Sequence, residues 1–295
     1  MISRRRFLGQ ASAAAALYAT TRPTAFAAPL GLPLGIQLYS VRQQLPSDFE
    51  GTLQQVAKAG FREVESAGYF GKTAAEVKQS LQKAGLHCVS AHHSATDLRT
   101  KFDELLAFDK EVGVQYFICS SPTFKEPLAP GASANSRTMT LDDWRWNAEQ
   151  FNKMAEKTAA AGITFGYHNH VHEFEPIDGT VPYMELLRIM DPKKTTLELD
   201  CGWAVVAGHK PQDLMRDHPN RFSMLHVKDF KSPAAGLKGA KVTELGQGDI
   251  DYRPILQQAA KTQKIRHMFV EQEAFDMPWL DSLKVDADYM RNLKV

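Results

Sequence analysis

Strand-like and helical runs alternate eight times along this chain, and that alternation predicts a single (β/α)8 TIM barrel. Two further observations agree with it. Most of the helical runs stop at a glycine, and 295 residues are enough for one such barrel in a single domain. An open, doubly wound sheet is the alternative reading of the same pattern. No G-x-G-x-x-G or G-x-x-x-x-G-K-S/T follows any strand, so no motif supports nucleotide binding.

The elements follow in order. Residues 34–39 read as a strand, and 49–59 as a helix with Phe49, Leu53, Val56 and Ala57 at helical spacing, stopped by Gly60. A strand at 63–65 leads to a helix at 73–83 that stops before Gly85. A third strand at 86–91 precedes a helix at 98–112 and Gly113. The fourth strand, 114–120, opens into a loop rich in Pro, Gly and Ser that reaches residue 140. The longest helix, 141–161, is closed by Gly162. The second half repeats the scheme: strand 163–167, helix 183–190, strand 196–199, helix 211–215, strand 222–227, helix 252–260, strand 267–271 and a last helix over 278–293.

Composition excludes several classes. With 43% hydrophobic residues and 35 basic against 34 acidic side chains, the chain is neither collagen-like, disordered nor a bundle of membrane spans. It also lacks the basic excess of a nucleic-acid binder. Cys88, Cys119 and Cys201 are odd in number, form no C-x-x-C pair and sit in or beside apolar runs, so they read as small buried hydrophobes.

The first 27 residues read as an address. Ser3-Arg4-Arg5-Arg6-Phe7-Leu8, an Ala-rich stretch too short to span a bilayer and Ala25-Phe26-Ala27 form a charged region, an apolar region and a cleavage pattern. The paired arginines resemble a twin-arginine signal, which implies Tat translocation and a periplasmic or otherwise exported location without a membrane anchor. Cleavage after Ala27 removes four arginines and no acid, leaving 31 basic against 34 acidic residues in the barrel, 28–295.

In a TIM barrel the active site lies at the carboxyl ends of the strands. There the fifth strand ends in Tyr167-His168-Asn169-His170 with Glu173 close behind, and the sixth in Glu198-Leu199-Asp200. The seventh ends in Leu225-His226-Val227-Lys228-Asp229 and the eighth in Val270-Glu271-Gln272-Glu273. Four consecutive strands thus bring His, Asp, His and Glu to one rim. An apolar barrel has no structural use for such residues, because an unpaired buried charge costs several kcal/mol. One divalent cation answers that problem, and a set rich in carboxylate and imidazole suits Mn, Mg, Co or Zn.

These residues and others resemble the xylose-isomerase-like sugar isomerases and epimerases, related to endonuclease IV. The resemblance is carried by Gln37-Leu38-Tyr39-Ser40-Val41-Arg42, Gly60-Phe61-Arg62-Glu63-Val64-Glu65, Tyr167-His168-Asn169-His170 with Glu173-Phe174, and Leu199-Asp200 with Trp203 and Gly208. His226-Val227-Lys228-Asp229, Gly246-Gln247-Gly248 with Asp251, and Glu271-Gln272 complete it, and the set looks like an exported subgroup. The resemblance implies a metal held by Glu, Asp, His and Glu, of which the last three fall on Asp200, His226 and Glu271. The first position holds His168 instead. Two repairs are open: Glu173 folds back onto the metal, which keeps the charge of the site and is preferred, or His168 itself ligates.

The resemblance also implies proton abstraction beside a carbonyl of a small carbohydrate, with the metal as Lewis acid. Glu271, His168 and His170 are the candidate acid–base groups. A histidine serves as base and then as acid, which suits isomerisation, epimerisation, and β-elimination or hydration on a keto-sugar or keto-inositol. Lys228 either binds a substrate oxygen or pairs with Asp229; Trp203 either stacks on a sugar or caps the core. One of His92 and His93 faces the pocket, and Gln37 and Glu65 either bind hydroxyls or form structural hydrogen bonds. Loop 121–140 reads as a lid or as plain surface, and His172, His209 and His218 as solvated loop residues.

Two other classes remain. An endonuclease IV-like phosphodiesterase needs more ligands and a basic face, and a non-catalytic sugar-binding protein has little use for a metal and buried acids. The exported address and the lack of a phosphate-gripping motif favour an unphosphorylated sugar, glycoside or cyclitol; a homo-oligomer is left open. Glu271→Gln is expected to abolish turnover, and full activity in a steady-state assay of that variant removes Glu271 from the chemistry.

Overall fold

The computed structural model describes residues 29–128 and 138–295. Eight parallel strands close into a barrel: β1 (Gly35–Gln37), β2 (Glu63–Ser66), β3 (His87–Ser94), β4 (Tyr116–Ser121), β5 (Thr164–His168), β6 (Thr195–Asp200), β7 (Phe222–Val227) and, last in sequence, β10 (His267–Val270). β1 pairs with β2 on one side and β10 on the other, so no edge is left open. The barrel is the fold predicted, and the open-sheet alternative is excluded by that closure.

Helices α1 (Phe49–Ala59), α2 (Ala74–Ala84), α3 (Ala95–Val112), α4 (Leu141–Ala160), α5 (Pro182–Ile189), α7 (Pro211–Asp217), α8 (Tyr252–Thr262) and α9 (Trp279–Asn292) fall at the predicted places, with ends shifted by a few residues. Their starts are written locally. Thr73 and Glu76 form a reciprocal capping box on α2, and Thr140 and Asp143 one on α4, satisfying backbone N–H groups that a helix start leaves unpaired. Gly60 and Gly85 end α1 and α2 at φ 114° and 70°, where a side chain is strained.

Two elements lie outside the prediction. Helix α6 (Cys201–Val206) begins directly at the end of β6, and β8 (Asp229–Lys231) pairs antiparallel with β9 (Lys241–Thr243) in a hairpin over the rim. Both are short and lack a period that sequence reading resolves. Strand β3 also runs to Ser94, which places His92 and His93 within the strand rather than after it.

Two apolar cores result. The large one fills the space between the strands and the helices, with Phe61, Phe117, Phe151, Phe165, Phe222 and Tyr252 among its fully buried members. The small one, Val89, Ile118, Met224 and Phe269, forms a separate cluster inside the barrel. Glu63 and His267, 2.7 Å apart, join β2 to β10 at the strand starts. Cys88, Cys119 and Cys201 are buried thiols without a disulfide, as expected of small hydrophobes. No helix among the described residues is long and apolar enough to cross a membrane.

Asp229 ties the hairpin to the barrel. Its carboxylate accepts from the backbone N–H groups of Phe230, Gly246, Gly248 and Ile250 at 2.8–3.2 Å. A Cβ on Gly248 would stand 2.3 Å from Asp229 Oδ1, so only glycine lets the loop close on the acid. Asp229→Ala leaves four N–H groups without their acceptor. It is expected to destabilise the chain by about 2 kcal/mol or more, read as a lowered urea midpoint.

Candidate active site

The barrel interior above the small apolar core is polar. Residues two apart on a strand share a face, so β6 presents Glu198 and Asp200 together, and β7 with its extension presents Met224, His226 and Lys228. The inner layer is joined by side-chain contacts that cross the barrel. Glu65 accepts from Gln37 Nε2 at 2.7 Å and from Ser90 Oγ at 2.6 Å, and lies 2.6 Å from His226 Nε2 and 2.9 Å from His92 Nε2. His92 Nε2 also lies 2.7 Å from Glu198 Oε2, which His168 Nδ1 approaches to 3.0 Å. Glu65 and Glu198 are both fully buried.

The outer layer sits at the mouth. Lys228 Nζ lies 3.3 Å from Asp200 Oδ2 and 2.9 Å from Glu271 Oε2, and pairs with Glu273. Glu271 Oε2 is also 3.0 Å from His226 Nδ1. Backbone clamps hold these side chains in place. Asn169 exchanges two hydrogen bonds with the backbone of Asp200, and the Tyr252 hydroxyl accepts from Lys228 N–H and donates to its C=O. Asp200 Oδ1 caps α6 by accepting from Trp203 N–H at 2.8 Å. One carboxylate oxygen of Asp200 thus starts a helix while the other is left to the cavity.

The charges are arranged by burial and partners. Burial by itself would push the His92 ring down, but the carboxylates of Glu65 and Glu198 raise it to about 9. His226 is held well above its ordinary value in the same way, by Glu198 and Glu65 against its burial. His168, buried beside the His226 ring, is pushed well below its ordinary value. Burial raises the Asp200 carboxyl against the pull of Lys228, and Lys228 in turn is raised by Asp200, Glu271 and Glu273 despite its own burial. Burial also lowers His170, whose ring makes no side-chain hydrogen bond among the described residues. His170 packs edge-on to His168 at 4.8 Å and is half-buried at the mouth.

These residues fit a divalent cation. One ligand atom from each of His168, Asp200, His226 and Glu271 lies within 4.8 Å of the others, all from buried residues. Glu198 Oε1 and, although Lys228 Nζ stands 3.3 Å away, Asp200 Oδ2 are buried without a hydrogen bond, which leaves acceptor capacity unused at the cluster. Imidazole and carboxylate together suit a borderline or hard divalent ion.

The structure brings most of the predicted residues together and sets others apart. Asp200, His226, Glu271 and His168 converge, with Gln37, Glu65, His92 and Lys228 around them. Glu173 does not fold back onto the cluster, contrary to the preferred reading. Its two oxygens accept from the Tyr167 hydroxyl at 2.6 Å and from His170 N–H at 2.9 Å, so it positions the loop that carries His170. Of the two residues, His168 is the one that belongs to the cluster.

Lys228 does not pair with Asp229, whose carboxylate is taken up by backbone N–H groups. Trp203 does not offer a free face, because Lys228 Nζ stands 4.8 Å over its ring and Phe230 packs at 4.8 Å; its indole N–H is the part left unpartnered. Of the histidine pair, His92 faces the cavity, while His93 turns outward to Asp109 at 2.8 Å. His172 is exposed, as expected, whereas His209 packs against Phe174 at 4.7 Å. The predicted lid falls partly on residues 129–137, outside the described residues. Its first part is pinned to α4 through Thr123 and Asn147.

Sequence reasoning set Glu198, Glu273 and Asn169 at the strand ends without giving them a role, and it did not name Ser90. Glu198 was detectable, since it lies two residues before Asp200 and so on the same strand face. Ser90 carries no chemical signal of its own until the barrel closes and brings it beside Glu65.

Comparison with known proteins bears on this site. The family described as the xylose isomerase-like TIM barrel matches residues 53–293. Inosose dehydratase of Geobacillus thermodenitrificans is 24% identical over 230 residues, covering 71% of this chain and 76% of that one. Inosose dehydratase of Clostridium perfringens is 24% identical over 255 residues, covering 76% and 82%. A sugar phosphate isomerase/epimerase of Parabacteroides distasonis superposes with a TM-score of 0.70 at 27% identity, over 92% of this chain and 98% of that one.

His168→Ala and Asp200→Asn are each expected to weaken divalent-cation binding on the order of 10- to 100-fold. Glu173→Gln is expected to change it by less than about threefold, since its carboxylate lies outside the cluster. Titration calorimetry with Mn or Zn reads both. The opposite ranking restores Glu173 as the ligand.

Proposed function

The chain belongs to the xylose isomerase-like TIM barrel family and is an enzyme of isomerase/epimerase or lyase/hydratase type, and from that premise we propose that it removes the proton beside a carbonyl of an unphosphorylated keto-sugar, glycoside or cyclitol and expels the oxygen at the β carbon. One observation carries the choice of elimination. A two-base epimerisation needs a second free base facing the substrate from across the site, and the inward residue of β5 is His168, whose Nδ1 is engaged by Glu198 at 3.0 Å.

The cation held by His168, Asp200, His226 and Glu271 would polarise the substrate carbonyl as a Lewis acid. Lys228, clamped at its backbone by Tyr252 and charged by three surrounding carboxylates, donates a hydrogen bond to the enolate oxygen and keeps its own proton. His170 takes the proton: its ring is neutral, uncommitted and at the mouth. The α C–H electron pair becomes the new C=C bond, the β C–O bond breaks, and the His170 imidazolium returns its proton to the departing oxygen. Glu271 anchors Lys228 and His226 and stands beside the same proton path. The Trp203 indole N–H, left unpartnered, binds a substrate hydroxyl.

Isomerisation shares the first step, and the sugar phosphate isomerase/epimerase likeness at 27% identity supports it as the second reading. The inosose dehydratase relatives support elimination. Residues 1–27 serve on this reading as a Tat signal that carries the folded barrel out of the cytoplasm, in keeping with their Arg-Arg-Phe-Leu sequence.

Proton NMR of the Mn-loaded protein with 3-keto-glycosides and keto-inositols in D₂O separates the readings. Aglycone release or a new alkene signal supports elimination, and deuterium entering beside an intact C–O bond supports isomerisation. His170→Ala is expected to lose at least about 100-fold in kcat. In the parent enzyme kcat/KM falls as pH drops and His170 protonates, with a midpoint below the ordinary 6.5 because burial lowers that ring. The variant lacks this acid limb.

A further inference from the structure

The two histidines of the cluster each span two layers of the barrel. His168 turns Nδ1 inward to Glu198 Oε2 at 3.0 Å and Nε2 outward toward Asp200 Oδ2 at 3.9 Å. His226 turns Nε2 inward to Glu65 Oε2 at 2.6 Å and Nδ1 outward toward Glu271 at 3.0 Å. A neutral imidazole carries one proton, and only the nitrogen without it can bind a cation. A carboxylate accepts and does not donate, so Glu198 draws the proton of His168 to Nδ1. His226 meets a carboxylate on both sides, nearer at Nε2 (2.6 Å) than at Nδ1 (3.0 Å), so a cation at Nδ1 displaces the outer proton and leaves the inner one in place.

The inner carboxylates are themselves held. Glu65 is fixed by Gln37 and Ser90, and the His92 ring, 2.9 Å from Glu65 and 2.7 Å from Glu198, bridges the two acids. The five residues come from β1, β2, β3 and β6, outside the strands that supply the two histidines. We propose that Glu198 and Glu65 are positioning residues that set the tautomer and ring rotation of His168 and His226, with His92 as the clamp between them. Each outer nitrogen is thereby presented to the cation without a proton. This inference rests on the metal reading of the site.

The test uses the full chain labelled with ¹⁵N at histidine. Long-range ¹H–¹⁵N spectra report the tautomers, and calorimetry reports zinc affinity and stoichiometry. The zinc-loaded protein is expected to bind one equivalent, with His168 protonated at Nδ1 and His226 at Nε2. Glu198→Gln is expected to weaken zinc on the order of 10- to 100-fold and to disturb the His168 signals ahead of those of His226. Glu65→Gln does the reverse. Ser90→Ala, a milder change, gives a several-fold loss and keeps the idea testable if a glutamate variant fails to fold. Glu63→Gln, whose carboxylate meets His267 at the strand starts, leaves zinc affinity unchanged.

Affinities of Glu198→Gln and Glu65→Gln within twofold of the parent overturn the proposal. So does a second zinc equivalent lost in Glu198→Gln, which makes the group His92, His168, Glu198 and His226 a cation seat in its own right. A parent chain that binds no divalent ion removes the metal reading instead. The metal-free spectrum then still decides the inner contact, because His168 must appear there as the Nδ1–H tautomer, and the Nε2–H tautomer refutes it.

Discussion

Two carboxylates, Glu65 and Glu198, sit inside a closed barrel with no access to water, and the arrangement of the site follows from satisfying them. An unpaired ion there costs several kcal/mol, so each must meet donors or positive charge from neighbouring strands. Gln37, Ser90, His92, His168 and His226 supply them from four strands. The requirement is mutual, because Ser90 and His92 meet these two acids and His168 and His226 each turn one ring nitrogen to them. The layer therefore acts as one network, and the rings that reach the mouth are oriented from below.

Above it, the site separates charge that reacts from charge that supports. Adjacent residues on β7 and its extension go opposite ways: Lys228 turns into the cavity, and Asp229 turns to gather four backbone N–H groups of the hairpin loop. Asp200 does both tasks with its two oxygens, starting α6 with one and facing the cavity with the other. Helix α6 is what brings Trp203 against Lys228, so the acid that belongs to the cluster also fixes the aromatic ring beside it.

The replacement of a carboxylate by His168 on β5 has consequences for chemistry. On the proposed metal reading it would lower the negative charge of the ligand set by one and leave one carboxylate fewer to act as a base. Glu173, which would restore both, is committed to the Tyr167 hydroxyl and to the N–H of His170. Glu173 thereby holds the segment that carries His170, the base of the proposed elimination. A barrel scaffold hosts many reactions, and here this one substitution weighs more than the fold does.

The sequence by itself determined the barrel, because strand–helix alternation and glycine stops are local signals that each segment carries alone. It also placed Asp200, His226 and Glu271 on one rim, since the carboxyl ends of parallel strands necessarily share a face. What it left open were questions of direction: whether Glu173 or His168 reaches the cluster, which of His92 and His93 turns inward, and whether Lys228 pairs with Asp229. Sequence position does not encode those answers. They depend on the alternation of β3, which turns Ser90 and His92 to Glu65 and His93 away to Asp109, on the Tyr167 hydroxyl beside Glu173, and on a loop of glycines returning to Asp229. Glu198 and Ser90 acquired meaning only when the barrel closed, because their partners lie on other strands, and a contact of that kind exists only in the folded chain.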